Sequence, residues 1–392
     1  MDFDFTADQY LLSDSVGRYL KDNWGPRKLR AAAGTFDAGL WTGLCGVGLQ
    51  TLLVPQEWDG AGQGLVDVAL VFEQFGRGLV PAPMVDTILA SDVIARFGTP
   101  AQRASLLPRI ASGACRVAFA HQQAGAGHTA TEVSLEAQAG AGEWRLNGRK
   151  ILVPGAQAAT HLLVSAKPPA GPAGLFICEA NSDAISVRNH GAVDPHSLLC
   201  QVGFDNAKAE PVGAPAHAHA HSHSRALARL LETSTFAAAI QMVGLAAAAL
   251  DIAVAFAKQR SQFDRPIGSF QAIKHKCADM LVALEGARST AYYASWAVAE
   301  DDAALPLAVS MAKAACGDAC RLICNDALQI HGGVGFTQEF DIHLYLRRGK
   351  LLEYAFGDAS FHRERVAGIV LAGASEVSDE PLANLSATAL AA

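Results

Sequence analysis

The stretch FAAAIQMVGLAAAAL, residues 236 to 250, constrains this chain more than any other, because Gln241 is its only polar side chain. A helix that is apolar on every side must be covered on every side. Asp251 follows at once, so the run falls short of the roughly 20 apolar residues that cross a bilayer, and a buried core helix is expected rather than membrane insertion. The cover is found in the same half of the chain. Helical stretches at about 224–260, 269–300, 306–331 and 340–372 predict a four-helix bundle over residues 225–375, followed by a loose tail at 376–392.

The pattern differs upstream. Residues 1–115 read as a small helical domain: Thr6 and Gln9 form a capping box before the stripe Leu12, Val16, Tyr19 and Leu20. A second stripe is Leu65, Val68, Ala69, Phe72 and Phe75, and Thr99-Pro100 caps a third helix with Leu106, Leu107 and Ile110. Between 116 and 214, short β-branched and aromatic runs alternate with Gly, Pro and Asn, which predicts a β domain. Strands are expected at Val117–Ala120, His161–Ser165, Gly174–Cys178 and Ile185–Val187, and Asn147-Gly148 in WRLNGRKILV predicts a two-residue hairpin turn. PAHAHAHSHS, 215–224, reads as a biased linker. Its alternating His217, His219, His221 and His223 have the chemistry for weak divalent-metal binding, but a surface linker is the plainer reading.

Composition then excludes several roles. The 392 residues carry a net charge of -7 and no Lys/Arg cluster, so neither nucleic acid nor an anionic membrane surface is an expected partner. MDFDFTADQY lacks the positive start and apolar run of a secretory signal, so a cytoplasmic protein with reduced thiols is expected. Cys316, Cys320 and Cys324 recur on one helical face; without a C-x2-C pair they read as core packing, and no metal site is assigned.

KQRSQFDRPIGSFQ, residues 258–271, closes the apolar helix with Arg260, and an Arg there needs an anion. A pyrophosphate suits its planar fork of donors. Phe263 and Phe270 offer flat faces to an aromatic ring, Gln271 adds an amide, and the Gly332-Gly333 pair after Gln329 lets backbone N–H groups approach a phosphate closely. RSQFDRPIGSFQAIKHKCADM, 260–280, and QIHGGVGFTQEFDIHLYLRR, 329–348, resemble the signatures of the acyl-CoA dehydrogenase family, with smaller echoes in FEQFGRGLVPAP and NGRK. The resemblance covers about residues 5–370. It implies an α+β multidomain fold with an N-terminal helical domain, a middle β-barrel-like domain and a C-terminal four-helix bundle. It further implies FAD, held at its ADP end partly across a subunit boundary, by Arg260, Phe263, Phe270, Gln271, Gln329, Gly332 and Gly333.

In that family a carboxylate removes the α-proton of an acyl-CoA thioester while the β-hydrogen leaves as hydride to the flavin. Counting forward from RRGK, 347–350, puts Phe356 where the usual Glu stands, and a second family location holds Ser234, ten residues before Gly244. Neither side chain is a base. Glu232, Glu353 and Asp358 are the nearby substitutes, each also readable as a solvated or capping carboxylate. HQQAGAGHT, 121–129, and the surroundings of Ile151-Leu152 also depart from the family's flavin-ring contacts, whereas the ADP-end positions match. The chain is similar to subunits of bacterial acyl-CoA dehydrogenases that act on bulky CoA thioesters such as steroid side chains. The resemblance therefore implies an acyl-CoA substrate, an electron-transfer flavoprotein or similar acceptor, and a homo- or hetero-tetramer with a related chain, the mixed assembly being favoured. The alternatives are a non-catalytic scaffold subunit stabilising a catalytic paralogue, and an oxidase or monooxygenase on the same fold.

Overall fold

The computed structural model describes residues 5–140, 143–213 and 222–378. Six helices come first: α1 (Ala7–Asn23), α2 (Pro26–Ala31), α3 (Ala38–Gly46), α4 (Leu65–Gly78), α5 (Met84–Phe97) and α6 (Pro100–Ala111). The capping boxes at Thr6 and Thr99 form as expected, each with reciprocal bonds to a Gln three residues on. Val68, Phe72 and Phe75 of α4 are fully buried, so the apolar stripe does fix which face of that helix turns inward.

The middle region holds β1 (Val117–Ala120), β2 (Glu136–Ala139), β3 (Trp144–Pro154), β4 (His161–Ala166), β5 (Gly174–Glu179), β6 (Ile185–Asn189) and β7 (Leu199–Pro211). The order is β1-β4-β5-β7-β3-β2, with β6 also on β7; β1 and β4 run parallel and the other pairs antiparallel. A bridge between Glu136 and Lys167 brings β2 back to the end of β4, so the sheet curls on itself around Leu146, Val164, Phe176 and Val202. This is the barrel-like form expected from the sequence.

One turn assignment is corrected. Asn147-Gly148 is not a hairpin turn: β3 runs straight through it, and a register shift between Leu146 and Gly148 against β7 marks a β-bulge. The extra residue of the bulge lies on β7, where Asn206 at φ +55 donates its N–H to Asn147 Oδ1 at 2.8 Å, while Gly148 takes φ +130 on the opposing strand. Strands β2 and β7 come in addition to those expected.

The C-terminal half holds α7 (Ser222–Gln259), a small hairpin β8–β9 (Ser261–Gln262, Arg265–Pro266), α8 (Gln271–Ala299), α9 (Leu305–His331), α10 (Ile342–Tyr354) and α11 (Ala359–Ser378). Helix α7 is long and apolar enough by composition to cross a membrane, yet most of its apolar stretch is buried inside the protein. Residues 236–250 are buried without exception, covered by α4, α5, α8, α9 and α10. Two expectations need correction here. The fourth bundle helix is two helices, broken at Ala355–Asp358, and the expected linker ends earlier, since α7 already begins at Ser222. His217, His219 and His221, and the tail from residue 379, lie outside the described residues. Cys316, Cys320 and Cys324 are buried in α9, with Cys320 and Cys324 Sγ 4.0 Å apart.

Candidate active site

The break between α10 and α11 falls at the position the sequence marked for the base. Phe356 sits at φ +58 and Gly357 at φ +102. A Cβ at Gly357 would come within 2.3 Å of the Phe361 ring, so only glycine fits. Two side chains hold the hinge from below: Lys313 Nζ donates to the carbonyls of Glu353 (2.8 Å) and Gly357 (2.7 Å), and His362 Nε2 lies 3.1 Å from the Phe356 carbonyl. Both are nearly inaccessible to solvent. Burial lowers the Lys313 ammonium to about 8 and the His362 imidazole to about 3, so that His362 is neutral at physiological pH and donates its ring N–H to the Phe356 carbonyl.

Above the hinge stands the β domain. The Phe356 ring stacks on Phe119 of β1 at 6.3 Å, and Phe119 in turn stacks on His121 at 5.6 Å. The 121–129 loop is anchored by Lys150, a fully buried residue of β3 whose Nζ donates to the His121 carbonyl, Gln123 Oε1 and Ser165 Oγ. Three acceptors satisfy it, although burial holds its pKa well below the ordinary lysine value. His128, at the far end of the loop, meets Phe361 edge-on at 5.5 Å, and its Nδ1 is buried without a hydrogen-bond partner. The walls of the hinge region are thus aromatic rings, imidazoles and a covered lysine.

The three carboxylates proposed as substitutes are all engaged elsewhere. Glu232 forms a two-pronged pair with Arg365 of α11. Glu353 is buried and accepts from Lys350 at 2.8 Å. Asp358 caps α11 by accepting from the Phe361 N–H at 2.9 Å. Ser234 is buried in α7 with its Oγ unpartnered. Sequence reasoning misses a fourth carboxylate. Asp86, in the first turn of α5, accepts from the Phe119 N–H at 2.9 Å and makes no ion pair among the described residues. Burial pushes its carboxyl up to about 7, against the smaller opposing effect of that hydrogen bond.

The ADP-end positions lie far from the hinge. Arg260 follows α7 directly, is exposed, and has no ion-pair partner among the described residues. Phe263 is 85% exposed and packs edge-on to Phe270 at 6.1 Å, while Arg265 covers the Phe270 ring at 4.1 Å. An exposed phenyl beside an uncommitted guanidinium suits a ligand that is both anionic and flat. Gln271 opens α8 and is exposed; Gln329 is exposed near the end of α9, and Gly332 follows at φ +64 with open space beside it and beside Gly333. A stack of Phe256 on His331 at 4.2 Å ties the end of α7 to the end of α9, so both sets stand at one end of the bundle. Lys313, under the hinge, is on the same α9, and helical rise puts roughly 27 Å between it and His331.

Known proteins share this architecture and these segments. The family model described as acyl-CoA dehydrogenase, N-terminal domain, matches residues 6–114, and that described as acyl-CoA dehydrogenase, C-terminal domain, matches 224–371. A probable acyl-CoA dehydrogenase of Bacillus subtilis, YngJ, is 28% identical, over 94% of this chain and 99% of its own. A solved variant of the Tcur3481-Tcur3483 steroid ACAD superposes with a TM-score of 0.85 at 31% identity, covering 94% of this chain and 99% of that one. The ChsE4-ChsE5 complex from Mycobacterium tuberculosis gives 0.84 at 26% identity, covering 97% and 100%.

Proposed function

The chain belongs to the acyl-CoA dehydrogenase family, and from that membership we propose that it serves the FAD-dependent α,β-desaturation of an acyl-CoA thioester to a 2-enoyl-CoA as one subunit of a mixed assembly. The observation that carries this reading is the Phe356 ring packed on Phe119 at the hinge, where this reading sets the family's base position. Removal of a general base costs about 10²- to 10⁴-fold in rate, so a related chain supplies the proton acceptor. Two-chain neighbours support such an arrangement, since both superposed structures are named as pairs of chains.

Arg260, Phe263, Phe270, Gln271, Gln329, Gly332 and Gly333 fit the ADP half of FAD, on the exposure, charge and open backbone described above. When bound, FAD supplies the two-electron acceptor for the hydrogen leaving the β-carbon. This chain's own residues hold the anionic end with Arg260, offer rings to the adenine, and shape the acyl side with Phe119 and Phe356. The roughly 27 Å between the two regions favours a cofactor shared between chains, its ADP end on one and its reacting end on another. An electron-transfer flavoprotein is the acceptor this reading assigns.

Co-expression with a related chain tests the assembly. The expected outcome is a stable complex containing both chains, with more FAD per protein than either chain purified alone. A chain that purifies as a homo-oligomer with full flavin and full desaturation activity sinks the mixed assembly.

A further inference from the structure

Where α2, the loop before β7 and the start of α10 come together, four buried polar atoms have no hydrogen-bond partner among the described residues. They are Nε2 of His196, both ring nitrogens of His343, and Nε of Arg30. Each imidazole is only 5% exposed. Named bonds tie the three segments: the Gly34 N–H donates to the Pro195 carbonyl at 3.1 Å, and Arg348 of α10 pairs with Asp194, which accepts from His196 Nδ1 at 3.1 Å. Arg30 of α2 pairs with Asp341 and donates to the Phe340 carbonyl at 3.1 Å, two and three residues before His343.

This setting admits a neutral His343 and resists a charged one. The groups acting on its ring are Arg347 and Asp341 at its own helix end, Arg30 from α2, and His196 from the loop before β7. Both nearby carboxylates are already committed, Asp341 to Arg30 and Asp194 to Arg348. His343 is also the second residue of α10, where the helix dipole disfavours a cation. Burial first, then Arg347 and Arg30, lower its imidazole below the ordinary value, against the opposing pull of Asp341. A depressed folded-state value contributes stability that is full above the unfolded value, about 6.5, and is lost as pH falls through it.

We propose that His343 is an acid-sensitive latch: once charged it turns out to water, α2 and the 190–198 loop part from the start of α10, and the FAD end of the bundle loosens with them. The link to that end is Phe340. Arg30 holds its carbonyl, and its ring packs on Phe256 at 5.7 Å and on His331 at 6.0 Å, directly before the Gly332-Gly333 pair. The proposal rests on the FAD reading above and names a regulation of that site. His331 is the other buried imidazole on this path; its Nδ1 lies 2.7 Å from the Ala327 carbonyl, so it has a partner that His343 lacks.

Amide hydrogen exchange of the FAD-loaded protein in its native assembly, corrected for the chemical exchange rate, tests this at pH 7.5 and pH 5.5, with FAD release followed in parallel. An imidazole of ordinary pKa in the open state makes opening about tenfold more frequent at the lower pH. The expected result is that protection of residues 30–36 and 190–198 falls by that factor and FAD leaves faster, while His343→Leu, which fills the space and cannot charge, shows neither change. His343→Gln, uncharged but polar, gives the same flat response and guards against a packing defect. Protection that does not fall in wild type, or that falls equally in both variants, overturns the latch. Protection that falls while FAD release stays constant overturns the link to the FAD site. A protein that binds no FAD at either pH overturns the FAD reading, and the exchange result still decides the latch.

Discussion

Asp194 joins three parts of the molecule and gives the sharpest test of how they are held together. It lies in the β domain, 3% exposed, and pairs with Arg348 of α10, whose Nη1 also donates to the Val80 carbonyl of the N-terminal region at 3.1 Å. His196 adds a backbone N–H at 3.0 Å and its ring Nδ1 at 3.1 Å. Burial pushes the Asp194 carboxyl up, but the Arg348 charge and these hydrogen bonds outweigh it and hold the group well below the usual carboxylate range. Arg348→Met leaves that carboxylate buried and uncompensated, which costs about 3–5 kcal/mol. Loss of the bond to Val80 adds about 1 kcal/mol. The sign with pH follows from linkage: a depressed folded-state pKa contributes stability above the unfolded value, near 4, and loses it as pH falls. Urea unfolding of wild type and variant at pH 7.5 should show the full difference, and the gap should narrow below about pH 4. Asp194→Asn with Arg348→Met should cost less than the sum of the single changes. A single-variant cost under about 1 kcal/mol, with additive behaviour, would refute the buried-pair reasoning.

Other consequences are more local. Arg260→Ala should weaken FAD binding by about tenfold or more without moving the urea midpoint, because the side chain is exposed; flavin fluorescence during titration reads this directly. Gly244→Ala should destabilise by about 1–3 kcal/mol or more, since a Cβ there would lie 1.8 Å from the Glu73 carbonyl where α4 crosses α7; the urea midpoint measures it. Asp86 has a raised folded-state pKa, so its contribution is present below about pH 4 and is lost as pH rises through about 7. Asp86→Asn should therefore gain stability relative to wild type between those values, and an unchanged difference at pH 4.5 and 7.5 would contradict the raised carboxyl of this half-buried residue.

The helices are legible in the sequence because their signals are local. Thr6-Gln9 and Thr99-Gln102 cap within four residues, and the all-apolar run at 236–250 allows only a covered helix. Strands are less so. β7 contains Gly203 and places Asn206 at φ +55, so its alternation is interrupted where it bends to join both parts of the sheet. Asn147-Gly148 misleads because these turn-forming residues run through a strand opposite a bulge in β7, and that pairing, more than fifty residues away, decides the matter. The hinge is hidden because its Gly357 lies inside an otherwise helical pattern, and Lys313, from α9, holds it open. Asp86 escapes notice for a related reason: an Asp in a first helical turn reads as a partner for the helix dipole, and its actual partner, the Phe119 N–H of β1, lies more than thirty residues on.

The most direct test of the account is anaerobic titration of the FAD-loaded chain with acyl-CoA thioesters while the flavin absorbance is followed, first alone and then with the related chain added. The account predicts that the flavin absorbance persists with the chain alone, since Phe356 accepts no proton and Glu232, Glu353 and Asp358 are engaged elsewhere, and that it bleaches once the partner is present. Rapid bleaching by the chain alone would contradict it and place a working base within this sequence.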